Sequence, residues 1–286
     1  MKLMRTAGAA IAAVALATSL AACSGSSDAD LSTFEKAQKT GEVDVALASL
    51  EPDSNLTPSG EVTGYVPEVT LAALEEYGIT KLNGSVAEFE AFIPGLQASR
   101  WSMVTTGLTV TSERCEAVLF SNPLTVLQEA LVYPTGNPDD ISSYDDFSTE
   151  SGLNLAVLTG SSQEKYALEQ GVPAERLVKV SDSSGLIDSV VSGRADAFAL
   201  GNIGIVGLLK PYADQLEYNL VEGAPVSATA VAFREEDRDF RDKFNEQLEK
   251  LRSDGSLEQM FEEWFGEENP GLTEATSLDP FAEGCE

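Results

Sequence analysis

The residues with the clearest chemical capacity follow an apolar stretch in the first half of the chain. From Gly107 the sequence reads Gly-Leu-Thr-Val-Thr-Ser-Glu-Arg-Cys, and its β-branched start predicts a strand that runs into a charged turn. Thr109, Thr111 and Arg114 would then present their donors at one strand end. A guanidinium can bind a carboxylate through two parallel hydrogen bonds. The segment therefore predicts a carboxylate site, with an exposed arginine paired to a neighbouring glutamate as the alternative.

A second candidate anion site lies further along the chain. Residues 158–164 read Leu-Thr-Gly-Ser-Ser-Gln-Glu, which predicts a strand end, a glycine turn and a helix start. Ser161 or Ser162 would cap the helix, and the free amides of the first turn would attract an anion. Capping without any ligand is the alternative, and the two roles are compatible.

Composition excludes several classes of function. The 286 residues include 47 acidic and 18 basic side chains and no histidine, for a formal net charge of −29. A chain this acidic repels nucleic acid and anionic lipid. The lack of histidine excludes Ser-His and Cys-His nucleophiles, imidazole metal sites and a histidine pH switch. No cofactor and no metal site are predicted.

The N-terminus predicts export. Lys2 and Arg5 precede a short, Ala-rich apolar stretch, which is typical of a secretory signal over residues 1–22. The segment ends in Leu-Ala-Ala-Cys, which resembles a bacterial lipobox, so that Cys23 would carry the lipid anchor. An ordinary secretion signal with an incidental cysteine is the alternative. Residues 23–41 are predicted to form a flexible tether, and cleavage would take the net charge from −29 to −31.

The two remaining cysteines, Cys115 and Cys285, form an even pair in an oxidising compartment. Such a pair is best interpreted as one disulfide, although the sequence does not fix the distance between them. A bridge would fasten the tail, residues 273–286, to the segment that carries Arg114. The tail otherwise has the composition of a disordered segment.

Apolar periodicity predicts strands that alternate with helices. The predicted strands are 43–48, 85–89, 102–110, 128–133, 153–158, 177–180, 195–200 and 229–233. The predicted helices are 67–77, 92–98, 162–170, 184–192, 204–209 and 237–252. This alternation favours open, largely parallel sheets with helices on both faces, and the 264 residues after the signal suffice for two modest cores.

The pattern Gly-x-[Ser/Thr]-x-Thr-x-x-Arg, followed by Phe-Ser-x-Pro at 120–123, resembles family 3 extracytoplasmic solute-binding proteins. The resemblance implies a bilobed periplasmic-binding-protein type II fold, with two open sheets, two crossover strands and a ligand cleft between the lobes. Residues 42–133 and 228–272 would form lobe 1, and 134–227 lobe 2. Arg114 would hold a ligand carboxylate together with Thr106, Gly107, Thr109 and Thr111. The resemblance places Ser161 and Ser162 on the opposite side of that carboxylate.

Within this family, the chain is most similar to the ectoine- and hydroxyectoine-binding branch. The similarity lies in residues 92–98, 113–116, 171–173 and 233–238 and in the C-terminal cysteine. That branch encloses a delocalised cation with aromatic rings. Asp53, Phe89 and Thr109 stand at the ring positions here, so only Phe89 is aromatic. Glu51 and Asp53 could instead pair with a cationic head group, or be solvated loop acids.

The usual partner of a ligand ammonium is missing. Amino-acid-binding members of the family carry an aspartate about five residues after the Asp of Gly-Arg-x-Asp-Ala. Here that motif ends at Ala197, and the corresponding positions are Gly201 and Asn202. A neutral Asn202 cannot compensate an ammonium by charge, although its amide could still contact the ligand. The solute is therefore expected to be an ectoine-like compatible solute or a polar amino acid derivative.

The resemblance implies a function outside the cytoplasm. The protein would be a receptor anchored to the outer face of the cell membrane through Cys23. It would deliver a small solute to the permease and ATPase of an ABC importer and would have no nucleic-acid partner. The alternatives are a dehydratase-like enzyme on the same fold and a ligand-sensing module for a membrane receptor.

Overall fold

The computed structural model describes residues 31–148, 152–266, 271 and 275–285. The predicted signal segment and Cys23 lie outside these residues. The strands are β1 (Glu42–Leu47), β2 (Asn55–Leu56), β3 (Val62–Thr63), β4 (Lys81–Val86), β5 (Met103–Thr109), β6 (Leu119–Phe120), β7 (Thr125–Leu127), β8 (Glu129–Pro134), β9 (Leu155–Leu158), β10 (Leu177–Val180), β11 (Ala197–Gly201), β12 (Leu216–Leu220) and β13 (Ser227–Phe233). The α-helices are α1 (Thr33–Thr40), α2 (Tyr65–Glu75), α3 (Phe89–Gln97), α4 (Ser112–Cys115), α5 (Ser162–Glu169), α6 (Ser183–Val191), α7 (Asn202–Leu209), α8 (Arg238–Ser253) and α9 (Ser256–Phe265). Among these described helices, none combines the length and apolar character of a membrane span.

The first sheet has the strand order β4-β1-β5-β13-β6, and β7 also pairs with β13. β1 runs parallel to β4 and β5, whereas β13 is antiparallel to β5, β6 and β7. Because β13 comes late in the sequence, the chain leaves this sheet after β7 and returns to it. We call this sheet and the helices that cover it the first lobe.

The second sheet has the order β10-β9-β11-β8-β12. β9 is parallel to β10 and β11, and β8 is antiparallel to β11 and β12. This sheet and its helices form the second lobe. The predicted architecture, two open sheets joined by two crossovers, is confirmed.

The predicted first boundary of lobe 2, after residue 133, lies too late. β8 pairs within the second sheet, so the chain changes lobes at Gln128. The error has a physical reason: β7 and β8 form an almost continuous apolar run, and the glycine and proline breakers come only after β8. The return at β13 begins at Ser227, next to the predicted residue 228.

Both sheets are covered on both faces. In β1 the side chains of Val43 and Val45 join a core with α2, α8 and α9, while Ala46 points to the other face and joins a core with α3 and the tail. This alternation follows from the two-residue period of a strand. In β8, Val132 and Leu131 divide in the same way between the two cores of the second lobe. Cores of this kind hold the strand ends and helix starts of the cleft in fixed positions.

Part of the predicted tether is folded. Residues Thr33–Thr40 form α1, which begins with a capping box between Ser32 and Glu35 and ends at Gly41 in the left-handed conformation. Phe34 is buried in the core of the first lobe and stacks edge-to-face on Phe240. The apolar contact and the caps at both ends offset the polar composition on which the tether was predicted.

Candidate functional site

Arg114 is positioned by the end of β5 and the short helix α4. Thr111 caps α4, because its Oγ1 accepts a hydrogen bond from the Arg114 amide at 3.2 Å. Threonine is a favoured cap since its oxygen satisfies an amide that the first turn leaves free. The guanidinium is thereby directed across the cleft toward the second lobe.

The guanidinium of Arg114 contacts both lobes. Nη1 donates to the carbonyl of Thr109 at 2.7 Å, and Nη2 donates to the carbonyl of Gly160 at 3.0 Å. Burial lowers the pKa of Arg114 to about 10, so the group remains a cation at neutral pH. A guanidinium has five N–H donors, and in the described part of the chain no carboxylate forms an ion pair with this one. Its remaining donors are available to an anionic ligand.

The start of α5 faces Arg114 from the second lobe. The Ser161 Oγ accepts the Glu164 amide at 3.1 Å, which confirms the predicted cap. The Ser162 and Gln163 amides are in the first turn, where no intrahelical acceptor exists. The Ser162 hydroxyl donates to Oγ1 of Thr109 at 3.0 Å across the cleft.

Gly160 lies where the second lobe closely approaches the first. Its φ of +75° lies in the left-handed region, and a Cβ on it would lie 2.8 Å from the backbone of Glu90 in the first lobe. Only glycine satisfies both demands. The Gly160 carbonyl is also the acceptor for Arg114, so this turn contacts the first lobe in two ways.

These donors line a cavity of about 630 Å3 at the mouth of the cleft, which we call the outer cavity. Thr111 and Arg114 line it from the first lobe, and Ser161 and Ser162 from the second. Lys165 of the second lobe forms an ion pair with Glu113 of the first lobe across it. With Phe89, the outer cavity therefore brings together five of the residues that the sequence predicts for the site.

A second, smaller cavity of about 50 Å3 is lined by Asp53, Gly107 and Thr109 of the first lobe and by Gln163 of the second. We call it the inner cavity. Most of its other walls are apolar, and among the described residues that line it there is no lysine or arginine. The hydrogen bond between Ser162 and Thr109 joins the lining of the outer cavity to that of the inner one.

Asp53 is fixed to the strand that leads to Arg114. Its Oδ2 accepts hydrogen bonds from the Gly107 amide at 2.9 Å and from the Thr106 hydroxyl at 3.0 Å. The pKa of Asp53 is raised because burial removes the carboxylate from water, an effect that exceeds the opposing hydrogen bond from the Gly107 amide. An ionised Asp53 is thus a negative charge that the cavity itself does not neutralise.

Phe89 is shared by the openings of the cleft. Its ring lines the outer cavity, the inner cavity and a third opening of about 280 Å3 on the other side of the cleft. It packs edge-to-face on Phe92 with the ring centroids 5.3 Å apart. One aromatic side chain therefore lines all three openings of the cleft.

Three predicted residues lie outside both cavities. Glu51 is exposed and accepts a hydrogen bond from the Asn55 amide at 2.5 Å. Asn202 is buried at the start of α7, where its Oδ1 accepts the Gln128 amide at 2.9 Å. Thr106 is fully buried and supports Asp53 from behind. Asn202 thus braces the crossover at Gln128 from the second lobe.

Sequence reasoning missed a second buried carboxyl group. Glu129 lies at the start of β8 and accepts hydrogen bonds from the Tyr144 hydroxyl at 3.0 Å and the Gln163 side-chain amide at 2.9 Å. Burial raises its pKa. Because Gln163 lines the inner cavity, Glu129 is a positioning residue for that side chain. The available signal was a single acidic residue next to the apolar run 130–133.

Cys115 and Cys285 form a disulfide in the structure. The tail is packed rather than loose: Leu278, Ala282 and Cys285 are buried in the core beside α3. The bridge joins this tail to the residue that directly follows Arg114. The tail therefore helps to hold α4 in place.

A fold with two α/β lobes and donors converging on the cleft between them defines a solute-binding protein. Residues 43–267 match the family model of the bacterial extracellular solute-binding proteins, family 3, and the chain belongs to this family. It is 33% identical over 237 residues to the probable amino-acid ABC transporter periplasmic-binding protein y4tE of Sinorhizobium fredii, covering 80% of this chain and 78% of that one.

Two solved structures are similar along most of the chain. The crystal structure of EhuB in complex with hydroxyectoine is 33% identical, covers 81% of this chain and 91% of EhuB, and gives a TM-score of 0.77. The crystal structure of the ancestral amino acid-binding protein AncCDT-1, described as a precursor of cyclohexadienyl dehydratase, is 25% identical. It covers 82% of this chain and 100% of AncCDT-1, with a TM-score of 0.73. The predicted resemblance to the family and to an ectoine-binding member is confirmed.

Proposed function

We propose that this protein is the extracytoplasmic solute receptor of an ABC importer, and that its lobes close on a small zwitterionic or carboxylated solute. The observation that carries this proposal is the convergence of Arg114 and the start of α5 on one cavity from opposite lobes. A cationic fork and free helix amides are both complementary to a carboxylate. Names of relatives add support, since y4tE is described as an amino-acid transporter protein and EhuB is complexed with hydroxyectoine.

The mechanism follows from the contacts that cross the cleft. Arg114 reaches Gly160, Ser162 reaches Thr109, and the Ser183 hydroxyl donates to the Ser49 carbonyl at 3.2 Å on the other side of the cleft. A carboxylate bound between Arg114 and the α5 amides would add interactions that exist only when the lobes are together. The ligand would therefore stabilise the closed form by its differential affinity. The crossovers at Gln128 and at 221–226 would absorb the rotation.

We place the receptor on the outer face of the cell membrane, held by a lipid on Cys23. The support is the lipobox-like sequence before Cys23 and the extracellular family. A Cys23→Ala variant should then move from the membrane fraction to the soluble fraction of lysed cells. Retention of this variant on the membrane would contradict the anchor.

Ligand screening tests the proposed function. The purified protein is titrated in thermal-shift and calorimetric assays with ectoine, hydroxyectoine, polar amino acids, betaines and small monocarboxylates. A true ligand raises the melting temperature in a concentration-dependent way. Mass spectrometry of the incubated mixtures tests the dehydratase-like alternative, because a binding protein leaves its ligand unchanged. Turnover of a solute, or no shift with any of them, would overturn the receptor proposal.

Variants of Arg114 test the placement of the carboxylate. Arg114→Ala should weaken binding of the identified solute by about 100-fold, since a charge-assisted bidentate pair is lost. Arg114→Lys keeps the positive charge but loses the forked guanidinium, so its affinity should lie between those of the wild type and Arg114→Ala. Arg238→Ala, an exposed position on α8, is the matched control and should bind like the wild type. Unchanged affinity in Arg114→Ala would show that the carboxylate binds elsewhere.

A further inference from the structure

The inner cavity holds the Asp53 carboxylate, and none of the described residues that line this cavity is a cation. The Oδ2 atom of Asp53 accepts the hydrogen bonds from the Thr106 hydroxyl and the Gly107 amide. Its Oδ1 lies on the Gly107 side, where a Cβ on that glycine would come within 2.5 Å of it. In the described part of the chain, Asp53 forms no ion pair. A buried charge without a partner is costly, so this position favours a ligand that brings the missing positive charge.

The residues that line the inner cavity indicate which type of cationic group would bind Asp53. A fully methylated ammonium has no N–H group and binds best in a cage of aromatic faces. Here Phe89 is the one aromatic side chain among the described residues that line the inner cavity. A carboxylate oxygen, by contrast, accepts a strong hydrogen bond from a charged N–H donor. We infer that the solute's cationic end is an N–H-bearing group, an ammonium or amidinium, which binds Asp53; this inference rests on the proposed function.

The two cavities also give the solute a direction. Arg114 lines the outer cavity, and Asp53 lines the inner one. The carboxylate end therefore faces the mouth of the cleft and the cationic end faces the interior. The inner cavity is small and largely apolar, so the cationic group is compact and its carbon atoms contact leucine and isoleucine side chains. Lobe 1, through Asp53, supplies the counter-charge that lobe 2 lacks at Gly201 and Asn202.

Four probes of similar size separate these features. Ectoine carries an amidinium with N–H groups, proline carries a secondary ammonium, proline betaine is its N,N-dimethyl form without N–H, and cyclopentanecarboxylate has no cation. Calorimetry with the wild type should show binding of ectoine or proline, at least about 100-fold tighter than that of the other two. Equal or tighter binding of proline betaine or cyclopentanecarboxylate would overturn the inference and leave the proposed function standing. If none of the four binds and the only ligand found in the wider screen lacks an N–H-bearing cation, the inference is overturned and the proposed function stands.

The Asp53→Asn variant tests the residue itself. Its Oδ1 can still accept the hydrogen bonds from Thr106 and Gly107, so the loop keeps its anchor while the charge is lost. Affinity for the N–H-bearing probe should fall by about 100-fold, with an unchanged or higher melting temperature as the sign of an intact fold. Asp239→Asn, an exposed site on α8, is the control. Wild-type affinity in Asp53→Asn would overturn the inference, whereas loss of affinity only in Arg114→Ala would still support the proposed function.

Discussion

Gly107 and Asp53 occupy adjacent space, and the missing side chain at one position makes room for the carboxylate at the other. The Gly107 amide donates to Oδ2 of Asp53, and its Cα faces Oδ1. Gly107 has no unusual backbone angle, so its requirement is one of close approach and not of conformation. The family motif that begins at Gly107 thus does two things in this chain. It leads the strand to Arg114 and it accommodates an acidic residue from the loop after β1.

A Gly107→Ala variant tests this coupling without changing the net charge. The new Cβ would lie 2.5 Å from Oδ1 of Asp53, so the carboxylate must move away from the inner cavity. Affinity for the identified solute should fall by about tenfold. In an Asp53→Ala background the new Cβ meets no carboxylate, so Gly107→Ala should change the affinity little. A double-mutant cycle measures the difference between the two backgrounds. Equal losses in both backgrounds would show that Gly107 acts independently of Asp53.

The sequence predicts the site residues that local structure places, but not those that tertiary contacts place. Arg114, Thr111, Ser161 and Ser162 lie together in the outer cavity, because their positions follow from local rules of strand ends and helix caps. Asp53 and Glu51 could not be separated in this way, since both are acids of one loop. Only the tertiary pairing of that loop with β5 directs Asp53 inward and leaves Glu51 exposed.

At the level of elements, the turn between β9 and α5 lies against the start of α3 in the other lobe. Gly160 needs a positive φ and also touches the backbone of Glu90 at the start of α3. Both α3 and α5 bury side chains in their own lobes. A side chain at this position would therefore act as a spacer between the lobes.

Gly160→Ala should hold the cleft partly open. Affinity for the solute should fall by about tenfold or more, and small-angle scattering should show a smaller ligand-induced decrease in radius of gyration than in the wild type. Gly171→Ala is the matched control, because Gly171 also has a positive φ, of +89°, but nothing lies within 4 Å of its Cβ position. Both variants should lose stability from backbone strain, of about 1 kcal/mol. If Gly171→Ala weakens binding as much as Gly160→Ala, strain and not spacing is the cause.

Element prediction succeeded where the apolar period was regular and failed where tertiary contacts decide. The strand Leu177–Val180 has the bounds predicted from its sequence. Phe89 was predicted to end a strand, but it begins α3 and packs on Phe92, because an aromatic residue suits either state and local propensity is weak. The tail beyond residue 274 carries few apolar residues, and its burial depends on the core beside α3 and on the disulfide to Cys115.

Over the whole molecule, acidity and burial act together on stability. The chain carries a formal net charge of −29, and two of its carboxyl groups, Asp53 and Glu129, lie in the cleft region with pKa values raised by burial. For each, the folded protein holds its proton at a pH where the unfolded chain has already lost it. Stability from these groups is therefore greatest at low pH and is lost as the pH rises above the ordinary values of 3.8 and 4.5. Acids with lowered pKa values, such as Asp182, act in the opposite sense but titrate below this range.

Mild acidification should thus stabilise the fold and weaken the receptor at the same time. As the pH is lowered toward the ordinary carboxyl values of 3.8 and 4.5, the melting temperature without ligand should rise, because the folded protein takes up protons on these two groups before the unfolded chain does. Affinity for an N–H-bearing zwitterion should fall over the same range, because protonated Asp53 no longer supplies a charge. Paired thermal and calorimetric titrations in one buffer series measure both trends. In the Asp53→Asn, Glu129→Gln double variant, the melting temperature should depend less on pH than in the wild type. If its dependence on pH is unchanged, the surface acids and not these two groups cause the effect.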